Sequence, residues 1–194
     1  MKDKVACFFD SAAENWDKIN HPDPAILEKI TDIVGVSENC SVLDAGCGTG
    51  VLFPFFLKRN VKEITAVDVS ENMLRGAQRK YPDKRITFVC RDIALFSCPR
   101  TFDCVLVHNA FPHFLRQKEA VEKLKELTSP GGRLTIAHSI SRADVLRCHM
   151  DKPDISAELP EAQAIAEMFG DGFEDFTVIS DEKCFIVSAV KKKC

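Results

Sequence analysis

The nine residues Val42 to Gly50, VLDAGCGTG, limit the fold more tightly than any other part of this 194-residue chain. Val42, Leu43 and Asp44 read as a buried strand, and Gly46, Gly48 and Gly50 follow at alternate positions. A strand that runs into glycines at this density must turn tightly and let a ligand approach its backbone before a helix begins. Pro54 lacks an N–H and fits that helix only in its first turn, so the helix is expected to start late.

From Ser41 onward, short β-branched runs alternate with helical stretches, the pattern of βα units around a parallel sheet. The expected strands are Ser41 to Ala45, Glu63 to Asp68, Ile86 to Cys90, Phe102 to His108, Arg133 to Ser139, Phe176 to Ser180 and Cys184 to Ala189. Gln117 to Leu127 carries Ala120, Val121, Leu124 and Leu127 at helical spacing, and Pro130-Gly131-Gly132 ends that unit and launches a strand. Only Asp181, Glu182 and Lys183 separate the last two strands, too few for a parallel crossover, so these strands form an antiparallel hairpin. The expected fold is a single α/β domain over 1–194 with a mixed seven-stranded sheet and helices on both faces. Its core spans 40–139, and a helix and the terminal hairpin fill 161–194. Residues 1–35 and 140–160 fall outside the alternation and are lid candidates, since ligands of open α/β sheets bind at the carboxyl ends of the strands.

The spacing of the glycines bears on the ligand. A dinucleotide fingerprint, G-x-G-x-x-G, counted from Gly46 and Gly48, needs glycine where Val51 stands, so the loop argues against a nicotinamide dinucleotide. The next strand ends in Asp68, about twenty residues on, where α/β nucleotide sites place a ribose acceptor; its carboxylate offers two oxygens to two hydroxyls. Ser70 serves better than Asp68 as cap of the helix that follows.

The D-x-G-x-G-x-G form of Asp44 to Gly50 resembles motif I of class I S-adenosylmethionine-dependent methyltransferases. The likeness extends over about 40–140: Phe102 to Val107 looks like the family's fourth strand and Ser129 to Leu134 like the turn before its fifth. Phe9-Asp10 to Trp16-Asp17 is similar to the leading helix of the small-molecule branch that includes quinone-ring methyltransferases. The resemblance implies a Rossmann-like fold and S-adenosylmethionine as cofactor. It also implies that Asp92, after the third strand, meets the adenine amino group while Ile93 packs on the ring. The expected cofactor residues are Asp44, Ala45, Gly46, Cys47, Gly48, Gly50, Asp68, Val69, Met73, Asp92, Ile93 and His108. Residues 140–175 match no pattern of the family and leave the acceptor open.

Methyl transfer from a sulfonium is an in-line displacement that needs alignment, exclusion of water and, for some acceptors, removal of a proton. His108 and His138 end the fourth and fifth strands, His113 follows the fourth, and His149 lies in the second lid segment. His113 and His138 are the expected catalytic residues, each a neutral imidazole able to take a proton from a hydroxyl or thiol. Trp16, Asn109, Ser139, Arg142 and His149 are expected at the substrate, Arg142 with a fork for carboxylate or phosphate. The reading assigns no metal, although the same imidazoles could meet around an open coordination position.

Composition narrows the class of partner. A net charge of −3 and a pI near 6.0 disfavour a nucleic-acid substrate, and Lys191 to Lys193 reads as a solvated tail. No apolar run is long enough to span a bilayer and the N-terminal residues lack a signal-peptide core, so no membrane partner and a cytoplasmic location are expected. Nine cysteines, an odd number without a Cys-x-x-Cys pair, read as reduced thiols. Cys194 is expected to be an exposed thiol outside any prenylation box. The function expected is methyl transfer to a small molecule. The competing readings are an RNA or protein methyltransferase and a cofactor-binding module without catalysis; the first is disfavoured by His108-Asn109-Ala110-Phe111 where base methylases carry an Asn-Pro-Pro-Tyr type of motif. Oligomeric state is not readable from the sequence.

Overall fold

The computed structural model describes residues 4–193; Cys194 lies outside them. Seven strands form one sheet: β1 Ser41–Ala45, β2 Glu63–Asp68, β3 Ile86–Cys90, β4 Phe102–His108, β5 Thr128–His138, β6 Phe173–Ser180 and β7 Phe185–Lys191. Their order is β3-β2-β1-β4-β5-β7-β6. The first five pair in parallel, and β7 runs antiparallel to both β5 and β6. The helices are α1 Lys4–Ala12, α2 Trp16–Ile19, α3 Pro24–Val34, α4 Phe53–Lys58, α5 Glu71–Lys80, α6 Gln117–Leu127, α7 Arg142–His149 and α8 Ala162–Phe169. Among the described residues no helix is long and apolar enough to cross a membrane.

Strand parity divides the core. Every residue of β1 is buried because both faces of the sheet are covered. Leu43, Val105, Leu134 and Val187 pack with α6 and α8 on one face, whereas Val42, Ile64, Leu106 and Ile186 pack with α3, α4 and α5 on the other. Each such fully buried aliphatic side chain contributes about 1.5–3 kcal/mol relative to leaving it in water. α4 does start late, with Pro54 in its first turn. Asp23 caps α3 and Gly35 closes it in the left-handed conformation.

β5, β6 and β7 differ in extent from expectation, and the larger shifts each have a local reason. β5 begins at Thr128, because Thr128 already pairs with Phe102; the ladder then skips to Arg133 opposite Cys104, and residues 129–132 bulge out. Gly132 makes the bulge possible: a Cβ there would lie 2.9 Å from the carbonyl oxygens of Phe102, Asp103 and Ser129. β6 begins at Phe173 and has its own register shift between Glu174 and Thr177, at the positive φ of Asp175. β7 runs to Lys191, which is therefore no solvated tail: its ammonium donates to the carbonyls of Lys125 and Thr128, closing the end of α6. The eight described cysteines are free thiols.

Candidate active site

The sheet order reverses direction at β1 and β4, and the crevice beyond their carboxyl ends is the switch point at which open α/β sheets bind ligands. A cavity of about 690 Å³ opens there. Of the residues expected at the cofactor, Asp44, Gly46, Cys47, Gly48, Asp68, Val69, Met73, Asp92, Ile93 and His108 line it. Of those expected at the acceptor, Trp16, Asn109, His113, His138 and His149 do so. Ala45, Gly50, Ser139 and Arg142 are not on its wall.

The glycine turn forms because its amides find partners only in a left-handed path. Gly46 and Cys47 donate to the carbonyl of Val67 at 2.8 and 3.2 Å, with φ of 78° at Gly46 and 53° at Gly48. A Cβ on Gly46 would sit 2.4 Å from that of Ala110, so the loop presses directly on the segment after β4, whereas the space in front of Gly48 is open. Gly50 holds the turn itself, donating to the carbonyl of Cys47 at 2.9 Å.

Asp68 ties the glycine turn to the start of α5. One carboxylate oxygen accepts from the Gly48 amide at 2.8 Å and the other from the Ser70 amide at 2.9 Å, while Ser70 caps α5 through Met73. Asp44 and Asp68 are both buried, and burial pushes both carboxyls upward; that of Asp44, raised further by the Asp68 carboxylate, reaches about 7. In the unfolded chain Asp44 titrates near 3.9, so the raised value leaves stability intact below that pH and erodes it as pH climbs through about 7. Asp44→Asn is therefore expected to stabilise the ligand-free protein by about 1–3 kcal/mol at about pH 8, roughly 3–9 °C in thermal midpoint, and far less at about pH 5. Equal midpoint changes at both pH values would contradict the burial argument.

Asp92 caps the turn that follows it through the Ala94 amide at 2.9 Å and receives Arg116 at 2.6 Å, with Ile93 buried beneath. Two further acidic residues, unassigned from the sequence, fasten the N-terminal helices across the cavity. Asp10 accepts from the Ser70 hydroxyl at 2.7 Å and the Asn72 amide at 3.1 Å. Asp17 accepts from the Thr49 hydroxyl at 2.5 Å and from Lys80 at 2.6 Å. Burial opposes ionisation of Asp17, but Lys80 and Thr49 outweigh it and hold the carboxyl low. Their signal was available: Asp10 and Asp17 stand two helical turns apart, each after an aromatic residue, Phe9 and Trp16.

The histidines gather at the opposite end. His108 and His138 are buried, and among the described residues Nε2 of each has no hydrogen-bond partner. Burial pushes His108 and His113 down to about 4 and His138 well below the usual imidazole value, with the neighbouring imidazoles adding to the effect on His138 and His113. Nδ1 of His113 lies 2.9 Å from the Ile155 carbonyl, Nδ1 of His149 lies 2.6 Å from the Val145 carbonyl, and the two Nε2 atoms are 3.2 Å apart. Phe9 of α1 packs edge-on against the His113 ring at 4.7 Å between centroids. Asn109, on the cavity wall, and Ser139, off it, hold β4 to β5: the Asn109 amide donates to the Ser139 hydroxyl at 2.8 Å and its oxygen accepts from the Ser139 backbone at 2.9 Å. Arg142 is likewise spent, on the carbonyls of Leu159 and Pro160 and on Glu158 and Glu161, and so clasps the segment after α7.

A family profile described as a methyltransferase domain matches residues 42–132. The malonyl-[acyl-carrier protein] O-methyltransferase of Priestia megaterium is 32% identical over 99 residues, covering 50% of this chain and 36% of that protein. The demethylmenaquinone methyltransferase of Renibacterium salmoninarum is 29% identical over 143 residues, covering 70% of this chain and 58% of that protein. The chain thus spans between about a third and three fifths of these relatives' length. The fold matches that of the N-methyltransferase NodS from Bradyrhizobium japonicum, crystallised with S-adenosyl-L-homocysteine, at a TM-score of 0.73 and 17% identity, over 97% of this chain and 99% of that one. The matched stretch holds the glycine turn and the strand-end carboxylates just described, so residues 42–132 form a methyltransferase domain on a fold shared with S-adenosylmethionine-dependent methyltransferases.

Proposed function

We propose that the protein transfers the methyl group of S-adenosylmethionine to a small-molecule acceptor, and that the histidine cluster activates the acceptor's nucleophile. The observation that carries this reading is the continuity of one cavity from Asp44 and Asp68 to His113 and His138. Its volume of about 690 Å³ lies within the range of roughly 300–1,000 Å³ usual for small-ligand sites. The helices α1 and α2, pinned by Asp10 and Asp17, roof it and exclude water.

The residues fit the cofactor. A buried carboxyl at Asp44 faces the cavity, the chemistry that receives an ammonium, and the open space before Gly48 admits a ligand to the backbone. Asp68, held by the Gly48 amide on one oxygen and the Ser70 amide on the other, offers its carboxylate as the acceptor for the ribose hydroxyls. Ile93 and Asp92 border the adenine end. When bound, S-adenosylmethionine supplies a methyl group on a positively charged sulfur. His113 and His138 present neutral imidazoles toward the far end of the cavity, where an acceptor's hydroxyl, thiol or amine loses its proton or its hold on it. Names of relatives that act on an acyl-carrier-bound malonyl group and on a quinone precursor support an acceptor of modest size.

The test is transfer of labelled methyl from S-adenosylmethionine into a cell extract separated into metabolite, RNA and protein fractions. Label is expected in the metabolite fraction. Label confined to RNA or protein, or cofactor binding with no transfer to any fraction, would replace the reading with one of its two competitors.

A further inference from the structure

We propose that His113 and His149 form a preset half of a transition-metal centre, zinc by its chemistry, which His138 completes and at which the acceptor occupies the open position. This rests on the histidine end of the cavity being the acceptor end, as proposed above.

The argument starts from the tautomers. Each Nδ1 faces a backbone carbonyl, that of Ile155 for His113 and that of Val145 for His149, and a carbonyl only accepts. Both Nδ1 atoms therefore carry the proton, and in the neutral rings both Nε2 atoms are bare lone pairs. In those neutral tautomers the two nitrogens, 3.2 Å apart, have no hydrogen to share between them. Such a pair repels unless a positive centre lies between. Two imidazole nitrogens bound at about 2.0–2.1 Å to one tetrahedral ion stand about 3.3 Å apart, close to the separation seen. Fixing of each ring through an Nδ1–H to a backbone carbonyl is also the arrangement that orients metal-ligating histidines.

Among the described residues no three His, Cys, Asp or Glu side chains already converge on one point, so the third ligand has to move in. His138 is placed for this: it is 2% exposed, lines the same cavity, and its Nε2 has no partner. An imidazole set with one position left open matches catalytic zinc sites. A hydroxyl or thiol taken at that position would release its proton to water more easily, because the cation stabilises the anion that remains.

The experiment uses the full chain without an affinity tag, stripped of metal, and titrates it with Zn²⁺ by calorimetry and with Co²⁺ by visible absorption. One Zn²⁺ is expected to bind per chain with Kd below about 10 μM, and Co²⁺ to give the intense bands of four-coordination. His113→Ala and His149→Ala are expected to weaken binding at least about 100-fold, and His138→Ala about tenfold or more. Binding weaker than that limit, pale six-coordinate Co²⁺, a thiolate charge-transfer band, or affinity unchanged in His113→Ala and His149→Ala would each overturn the proposal. S-adenosylhomocysteine affinity measured on the same samples reports whether each variant is folded. It also separates the two readings: wild type that binds the metal but no S-adenosylhomocysteine would sink the cofactor assignment alone, and the reverse would sink the metal alone.

Discussion

Asp68→Ala is expected to bind S-adenosylhomocysteine about 100- to 1,000-fold more weakly than wild type by calorimetry, because two charge-assisted hydrogen bonds of roughly 1.5–3 kcal/mol each are lost and water replaces them only in part. Asp68→Asn is expected to do nearly as badly, and the reason is specific to this site. Both carboxylate oxygens already accept from backbone N–H groups, those of Gly48 and Ser70. An amide in the same place would turn its NH₂ against one of these donors and displace either the glycine turn or the start of α5. On the proposed ribose role, ionic character on both oxygens is what lets the carboxylate serve the backbone donors and two hydroxyls together, so shape alone is not expected to rescue the site. Affinity of Asp68→Asn within about threefold of wild type would show that one oxygen suffices and that the carboxylate is a loop fastener only. Circular dichroism of both variants separates lost binding from lost fold.

How much of this was legible before the structure depends on whether a feature is written in the chain locally or arises between distant segments. The turn at Gly46 to Gly50 was legible because glycine spacing reports backbone conformation directly, and the antiparallel end of the sheet because three residues cannot make a crossover. The early start of β5 was hidden: Pro130-Gly131-Gly132 reads as a turn, and only pairing of Thr128 with Phe102 keeps the strand going around it. The contacts of Arg142 were hidden for a similar reason. Its guanidinium chemistry suited an anionic substrate, but the carbonyls of Leu159 and Pro160, brought alongside by the chain's return after α7, use it first. The roles of Asp10 and Asp17 needed tertiary contact too, since nothing in their own segment says that Ser70 and Thr49 lie opposite. His113 and His149 are 36 residues apart, and the sequence could place both near the strand ends without showing that their rings meet.

That meeting bears on the largest kinetic effect expected. With the true acceptor, His113→Ala and His138→Ala are each expected to lower kcat by about 10²–10⁴, the range for groups that activate a nucleophile, while S-adenosylhomocysteine affinity stays within about threefold of wild type. The split follows from position: His138 ends β5 and His113 follows β4, whereas Asp44 and Asp68 end β1 and β2, and neither histidine is among the partners of Asp68. His138 is the sharper case. It sits at the end of β5 beside Phe185, with its centroid 6.1 Å from that ring, and its Nε2 has no partner among the described residues. A buried imidazole nitrogen left without a hydrogen bond costs about 1–3 kcal/mol, so a purely structural histidine there would be replaced by an apolar residue with a gain in stability. His138→Leu is therefore expected to raise the thermal midpoint as it abolishes turnover, a trade that marks a residue kept for chemistry. Retention of activity in His138→Leu, or a fall in midpoint with kcat unchanged, would assign the ring to packing and leave His113 with His149 as the site's reactive pair.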